Sequence, residues 1–181
     1  VMRFMMPSMP DLHVGARFSI TLLICLSLFT LPAVSAQELP QQYKSVGSAT
    51  LRVLWFDVYA AELQSPDGVF STMTGPLLLK LTYLRDIKRQ KLLDETAAQM
   101  KSVDPELRKY WLSQLEKIWP DIGKGDQLSF YLDPQGVGHF YFNEGYIGSV
   151  NDSRFGIEFI GIWLAEDSSY PDMARKLRGK S

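Results

Sequence analysis

Few side chains in this sequence are equipped for chemistry, and five merit a test: His139, Arg52, Lys80, Tyr59 and Tyr83. His139 stands in "GHFYFNEGYIGSV", residues 138–150, just ahead of Phe140, Tyr141 and Phe142. A catalytic histidine needs a carboxylate to orient it or a nucleophile to serve. A zinc site needs three or four ligands. The only cysteine, Cys25, falls in the apolar N-terminal run, and no second histidine occurs after that run. His139 is therefore read as a partly exposed strand residue, and neither metal nor cofactor is expected. "GKGD", residues 123–126, has the look of a phosphate loop. It leads into a strand, whereas phosphate loops draw their anion affinity from a helix N-terminus, so it is read as a turn.

Arg52 poses a sharper question, because it interrupts an apolar strand pattern. A covered guanidinium needs a partner, since an unpaired buried charge is costly. Asp57 or Glu62 would make that partner structural; a ligand's carboxylate or phenolate would make it functional. Lys80 raises the same choice one strand later. Tyr59 and Tyr83 offer hydroxyls to a pocket, or else pack and make one hydrogen bond each. Arg52, Tyr59, Lys80 and Tyr83 form the candidate ligand-binding set: an apolar wall with a cationic end.

The elements that must hold these residues follow from pattern. "SATLRVLWFDVYAAEL", residues 48–63, reads as a long strand or a hairpin, apolar on both faces and so expected to be covered on both. "QSPDG", residues 64–68, is a turn, and "PLLLKLTYL", residues 76–84, is a second strand. Asp86 is placed to cap a helix over about residues 87–103, and Asp104-Pro105 opens another that Pro120 stops. Next come a strand after "GKGD", a turn at "PQG", and a hairpin crossing Asn143-Glu144-Gly145. Asn151-Asp152-Ser153 caps a helix of about residues 154–164; "NDS" also matches a glycosylation acceptor, but the cap is the preferred reading. The basic tail, residues 174–180, is left open between a short helix and a loose end. The order is α+β: a large antiparallel sheet with helices packed on one face.

The N-terminus has a different character. "FSITLLICLSLFTLPAV", residues 18–34, follows Arg17 and ends in Val34-Ser35-Ala36. A basic residue, an apolar run and small residues at the −3 and −1 positions describe a secretory signal peptide. Residues 1–36 are assigned to it, with an uncleaved anchor as the alternative, and residues 37–181 to one domain in the periplasm or secreted. Ile24 before Cys25 and the apolar residues after it argue against lipidation. The domain then has no cysteine, no disulfide and no membrane span after cleavage. Its net charge near −2 argues against nucleic acid as partner.

The motifs in order carry a resemblance. "FDVYAAEL", then "LLLKLTYLRDI", then "IWPDIGKGDQLSFYLDPQGVGHFYFNEGYIGSVNDSRFGIEFIGIWL" are similar to the chalcone isomerase-like proteins, in particular their exported bacterial branch. The similarity runs over about residues 46–164, and its most specific parts are "KGD", "GYIGSVNDSRF" and "GIWL". It implies an open-faced β-sandwich, a large antiparallel sheet with a layer of helices on it. It also implies a cleft that, in the plant enzymes, cyclises a chalcone with help from an arginine, a tyrosine and a threonine. In another branch the cleft binds fatty acids through an arginine and a tyrosine.

Several of those groups have no match here. The enzyme's tyrosine and asparagine belong early in the helix after the second strand, which reads "RDIKRQKLLDETAAQM". The threonine's place falls near Leu54, and Arg52 matches the arginine only with a gap. The resemblance thus implies a non-catalytic relative that binds a fatty acid or similar small apolar anion, and no residue is assigned a catalytic role. Two alternatives stand beside it: an isomerase of the intramolecular lyase type acting on a phenolic enone, and a structural or partner-binding module with no pocket.

Overall fold

The computed structural model describes residues 38–180, so the leader expected over residues 1–36 lies outside the described residues. Six strands form one antiparallel sheet: β1 Lys44–Val53, β2 Phe56–Ser65, β3 Leu77–Tyr83, β4 Gln127–Leu132, β5 Gly138–Phe142 and β6 Gly145–Val150. Their order in space is their order in the chain. Among the described residues four helices accompany the sheet: α1 Arg89–Gln99, α2 Pro105–Ile118, α3 Ser153–Leu164 and α4 Pro171–Leu177.

Residues 48–63 resolve into a hairpin, with Val53 opposite Phe56 and Leu54-Trp55 as its turn. The expected cover on both faces is absent from β1. It is an edge strand in which Leu51 alone is buried. An edge strand has one neighbour and a short flank of helix to pack on, so its apolar residues outnumber the surfaces available to cover them.

Of the three helix starts expected from the sequence, two follow local chemistry and one does not. Asp104 caps α2, its carboxylate accepting from the Glu106 and Leu107 amides, with Pro105 at the first helical position. Asp152 caps α3, its Oδ1 accepting from the Arg154 amide at 3.0 Å. Asp86 does not cap α1, which begins two residues later with Lys88 at N-cap and no side-chain cap. The Asp86 carboxylate instead accepts the Lys124 amide at 2.7 Å, while Ile87 bridges Ile122. The basic tail folds into α4, which buries Met173, Ala174 and Leu177.

All four helices pack on one sheet face. The shared core is aromatic: Phe130 and Phe140 from the sheet meet Phe155 and Phe159 of α3, with Trp119 beside them. Close approach depends on small residues. A Cβ at Gly156 in α3 would strike the Gly136 carbonyl oxygen, and one at Gly47 in β1 would strike the Lys176 carbonyl oxygen of α4. The opposite face carries a smaller cluster of Leu39, Leu78, Tyr131 and Tyr141, with Tyr43 packed against it. The hairpin "GHFYFNEGYIGSV" therefore serves two sides: Phe140 faces the helices and Tyr141 the outer cluster.

Candidate functional site

A cavity of about 610 Å³ lies between the sheet and the helices. That volume falls within the range of small-molecule pockets, ~300–1,000 Å³. Strands β1 to β3 supply Leu51, Val58, Tyr59, Leu81 and Tyr83; α3 supplies Phe159, Ile162 and Trp163. The third wall is α1, whose lining residues are Lys88, Lys91, Leu92, Glu95, Thr96 and Gln99. Their spacing of three and four places them on one helix face.

Tyr59 and Tyr83 sit directly opposite each other on β2 and β3, which is why alternation puts both on the inner side. Their rings meet edge to face with centroids 5.5 Å apart. The Trp163 indole N–H donates to the Tyr59 hydroxyl oxygen at 2.8 Å. That oxygen is thereby an acceptor in use, and the Tyr59 O–H proton stays available to donate. Tyr83 reaches the same space from the next strand. Burial pushes both phenols well above the usual tyrosine range. Both are neutral hydrogen-bond donors at any ordinary pH.

Cations gather where the cavity opens. Arg85, Lys88 and Lys91 line it and are exposed, alongside Asp86 and Glu95. Lys88 pairs with Asp121 at 2.9 Å and Lys91 with Glu95 at 2.6 Å, both across open surface. Exposed pairs of this kind hold weakly and can exchange partners. The Arg85 guanidinium carbon lies 5.2 Å from the centre of the Phe56 ring.

The four candidate residues separate into two groups. Tyr59 and Tyr83 line the cavity. Arg52 is outside that lining, two-thirds exposed, and its Nε donates to Asp57 at 2.7 Å. Lys80 points to the outer face, where it faces Glu62 across the β2–β3 pair in a shallow polar depression with Ser48, Thr82 and Gln127. Arg85, Lys88 and Lys91 were missed by reasoning from strand patterns. Their signal was present in the basic cluster at the start of "RDIKRQKLL", directly after a strand that carries a pocket tyrosine.

Other motifs resolve locally. His139 Nε2 lies 2.9 Å from Asp133 Oδ2, on a carboxylate that also accepts the Gln135 and Val137 amides. Burial would push the Asp133 carboxyl up, but the hydrogen bonds from His139, Val137 and Gln135 outweigh it and hold it below the usual range. The pair buttresses the β4–β5 turn. In "GKGD" the amides of Gly123, Lys124 and Gly125 go to the Asp126 carboxylate, the Asp86 carboxylate and the Tyr83 carbonyl. Those amides are taken up within the turn and by the end of β3 and the residues after it. Among the described residues no group of three or more His, Cys, Asp and Glu side chains is placed to hold a metal ion.

An α+β meander with one face under helices and a pocket between them is the chalcone isomerase-like fold. The chain superposes on a fatty-acid binding protein of Arabidopsis thaliana with a TM-score of 0.63 at 11% identity, covering 78% of this chain and 89% of that one. An uncharacterized protein of Haemophilus influenzae is 28% identical over 142 residues, spanning 77% of this chain and 69% of its relative. No protein-family model matches the sequence.

Proposed function

We propose that the protein is an exported, non-catalytic binder of a small apolar anion, of which a fatty acid is the leading example. The observation that carries this reading is the 610 Å³ cavity, apolar along the sheet and α3 and cationic where it opens. An alkyl chain would lie against Leu51, Leu81, Leu92 and Phe159. A carboxylate is costly to bury without a charged partner, so it would stay at the opening with Lys88 and Lys91. Tyr59 and Tyr83 add neutral donors deeper in the cavity. The shared fold supports the reading, since the Arabidopsis protein bears the name of a fatty-acid binder. The non-catalytic part rests on the cavity's polar groups. Its tyrosines are held protonated by burial, and residues 85–100, which lead into and form its α1 wall, hold neither the tyrosine nor the asparagine that the resemblance would place there.

Native mass spectrometry of protein purified from an expressing bacterium tests this directly. An adduct of fatty-acid mass that organic extraction removes is the expected result. A bare polypeptide mass, together with no displacement of a fluorescent fatty acid by palmitate, would count against it. A chalcone assay serves as the check on catalysis: no loss of the enone band above the uncatalysed rate is expected.

A further inference from the structure

The β1–β2 hairpin ends in a tip that water does not favour. Leu54 is 81% exposed, Trp55 90% and Phe56 58%, and Val53 beside them is 43% exposed. Leu84, 37% exposed, follows the end of β3 beside β2, where its amide donates to the Val58 carbonyl. Leu54 also holds φ at 55°, a backbone conformation that favours glycine over a branched side chain. No glycine, asparagine or proline occupies this two-residue turn. An apolar tip with an unfavourable turn residue is unfavourable in water on two counts, and an apolar medium relieves the first. Contiguous exposed apolar surface of this kind marks an interaction site.

Its surroundings decide the partner. The Arg85 guanidinium lies over the Phe56 ring, and Arg52 flanks the tip on β1 in an exposed ion pair with Asp57 that an anionic surface can compete for, so guanidinium groups stand just behind the apolar residues. A tryptophan at the front with arginines one layer back matches the order of a bilayer surface, where acyl chains lie beneath anionic phosphates. Val53 belongs both to the patch and to the cavity lining, so the apolar surface runs unbroken from the tip into the opening. We infer that the hairpin tip inserts into the headgroup layer of an anionic bilayer, which brings the cavity opening against the acyl chains. Insertion stands on the tip's own geometry; its use for loading the cavity rests on the binding reading above.

Trp55 makes the test specific. The other three tryptophans, Trp111, Trp119 and Trp163, are buried. Protein produced from the full chain is mixed with vesicles of phosphatidylglycerol and phosphatidylcholine carrying brominated acyl chains. Quenching of tryptophan emission is expected, and its absence in Trp55→Ser would assign it to the tip. The Leu54→Ser/Trp55→Ser variant, altered only at exposed positions, should partition onto these vesicles at least about tenfold more weakly. Its binding of a fluorescent fatty acid in solution should equal that of the parent. Wild-type and variant partition that are the same, or Trp55 emission untouched by brominated lipid, overturns insertion whatever anchors the rest of the chain. Equal binding to pure phosphatidylcholine overturns the anionic preference. Self-association that the variant abolishes, without vesicle binding, assigns the tip to a second copy and overturns the proposal. Loss of fatty-acid binding by the parent protein with insertion intact would overturn the cavity reading alone.

Discussion

Asp152 joins two parts of the molecule through one carboxylate. It caps α3 through the Arg154 amide, forms an ion pair with the Arg154 side chain at 2.8 Å, and accepts the Trp111 indole N–H at 3.2 Å. The Arg154 side chain, against the opposing effect of burial, helped by Trp111 and the Arg154 amide, brings its carboxyl down to about 2. An unfolded aspartate titrates near ~3.9, so between these values the unfolded chain binds more protons than the folded one. The contribution is present in full above about pH 4 and disappears as pH falls towards 2. Urea unfolding at a series of pH values should show that slope for the wild type and a flatter one for Asp152→Ala. At neutral pH the same variant should lose about 2 kcal/mol through the missing cap and the stranded indole. Within the cavity, Tyr83→Phe removes a donor and keeps the ring, and Lys88→Gln/Lys91→Gln removes the charge at the opening. Fatty-acid titration should show a several-fold weaker Kd for each, with the double change the larger.

At the residue scale the sequence was legible where alternation governs. Tyr59 and Tyr83 share their sides of β2 and β3 with leucines, and they line the pocket as that pattern requires. Arg52 was expected to need a partner if its face were covered; the face is open, and the exposed guanidinium pairs with Asp57, one of its two structural candidates. What the pattern left open was the choice between one long strand and a hairpin. Leu54-Trp55 carries none of the residues that announce a turn, so nothing local marks the point where the strand reverses and leaves Arg52 in solvent.

Among the elements, α1 differs from its companions. It combines two weaknesses: like α2 it buries only two residues, Leu93 and Thr96, against six in α3, and unlike α2 and α3 it lacks a side-chain cap. A helix so lightly anchored opens more readily than the rest. Amide hydrogen exchange should be faster in α1 than in α3, and saturating fatty acid should slow α1 most, because that helix forms a wall of the cavity. Its start was misread from sequence because Asp86 is held by an amide 38 positions away, a contact that no local cap rule contains. The starts of α2 and α3 were readable because Asp104 and Asp152 bind amides of their own first turns.

At the scale of the whole domain, the described residues share one major core. Phe159 touches Phe130, Phe140, Phe155, Trp119 and Trp163, so Phe159→Ala should cost roughly 3–5 kcal/mol, measured by urea unfolding. Phe159 also lines the cavity, so ligand affinity should fall with it. Gly156→Val sets side-chain atoms against the Gly136 backbone and should cost about 1–3 kcal/mol without touching the pocket. A ligand that binds only the folded state should raise Tm in step with its concentration, by about 2.7 kcal/mol at a hundredfold excess over Kd. The sheet-and-helix architecture was legible because it is the sum of many local patterns. The cavity was expected only through the resemblance and not from local pattern, because a void is set by how whole layers meet.

The plain meander of the sheet has a bearing on how this protein can vary. Since among the described residues β1 has no neighbour but β2, residues inserted or deleted at the Leu54-Trp55 turn leave the pairing of β2 to β6 in register. The rim of the cavity can thus be reshaped, lengthened or blunted by sequence change at one bend, while the aromatic interior stays as it is.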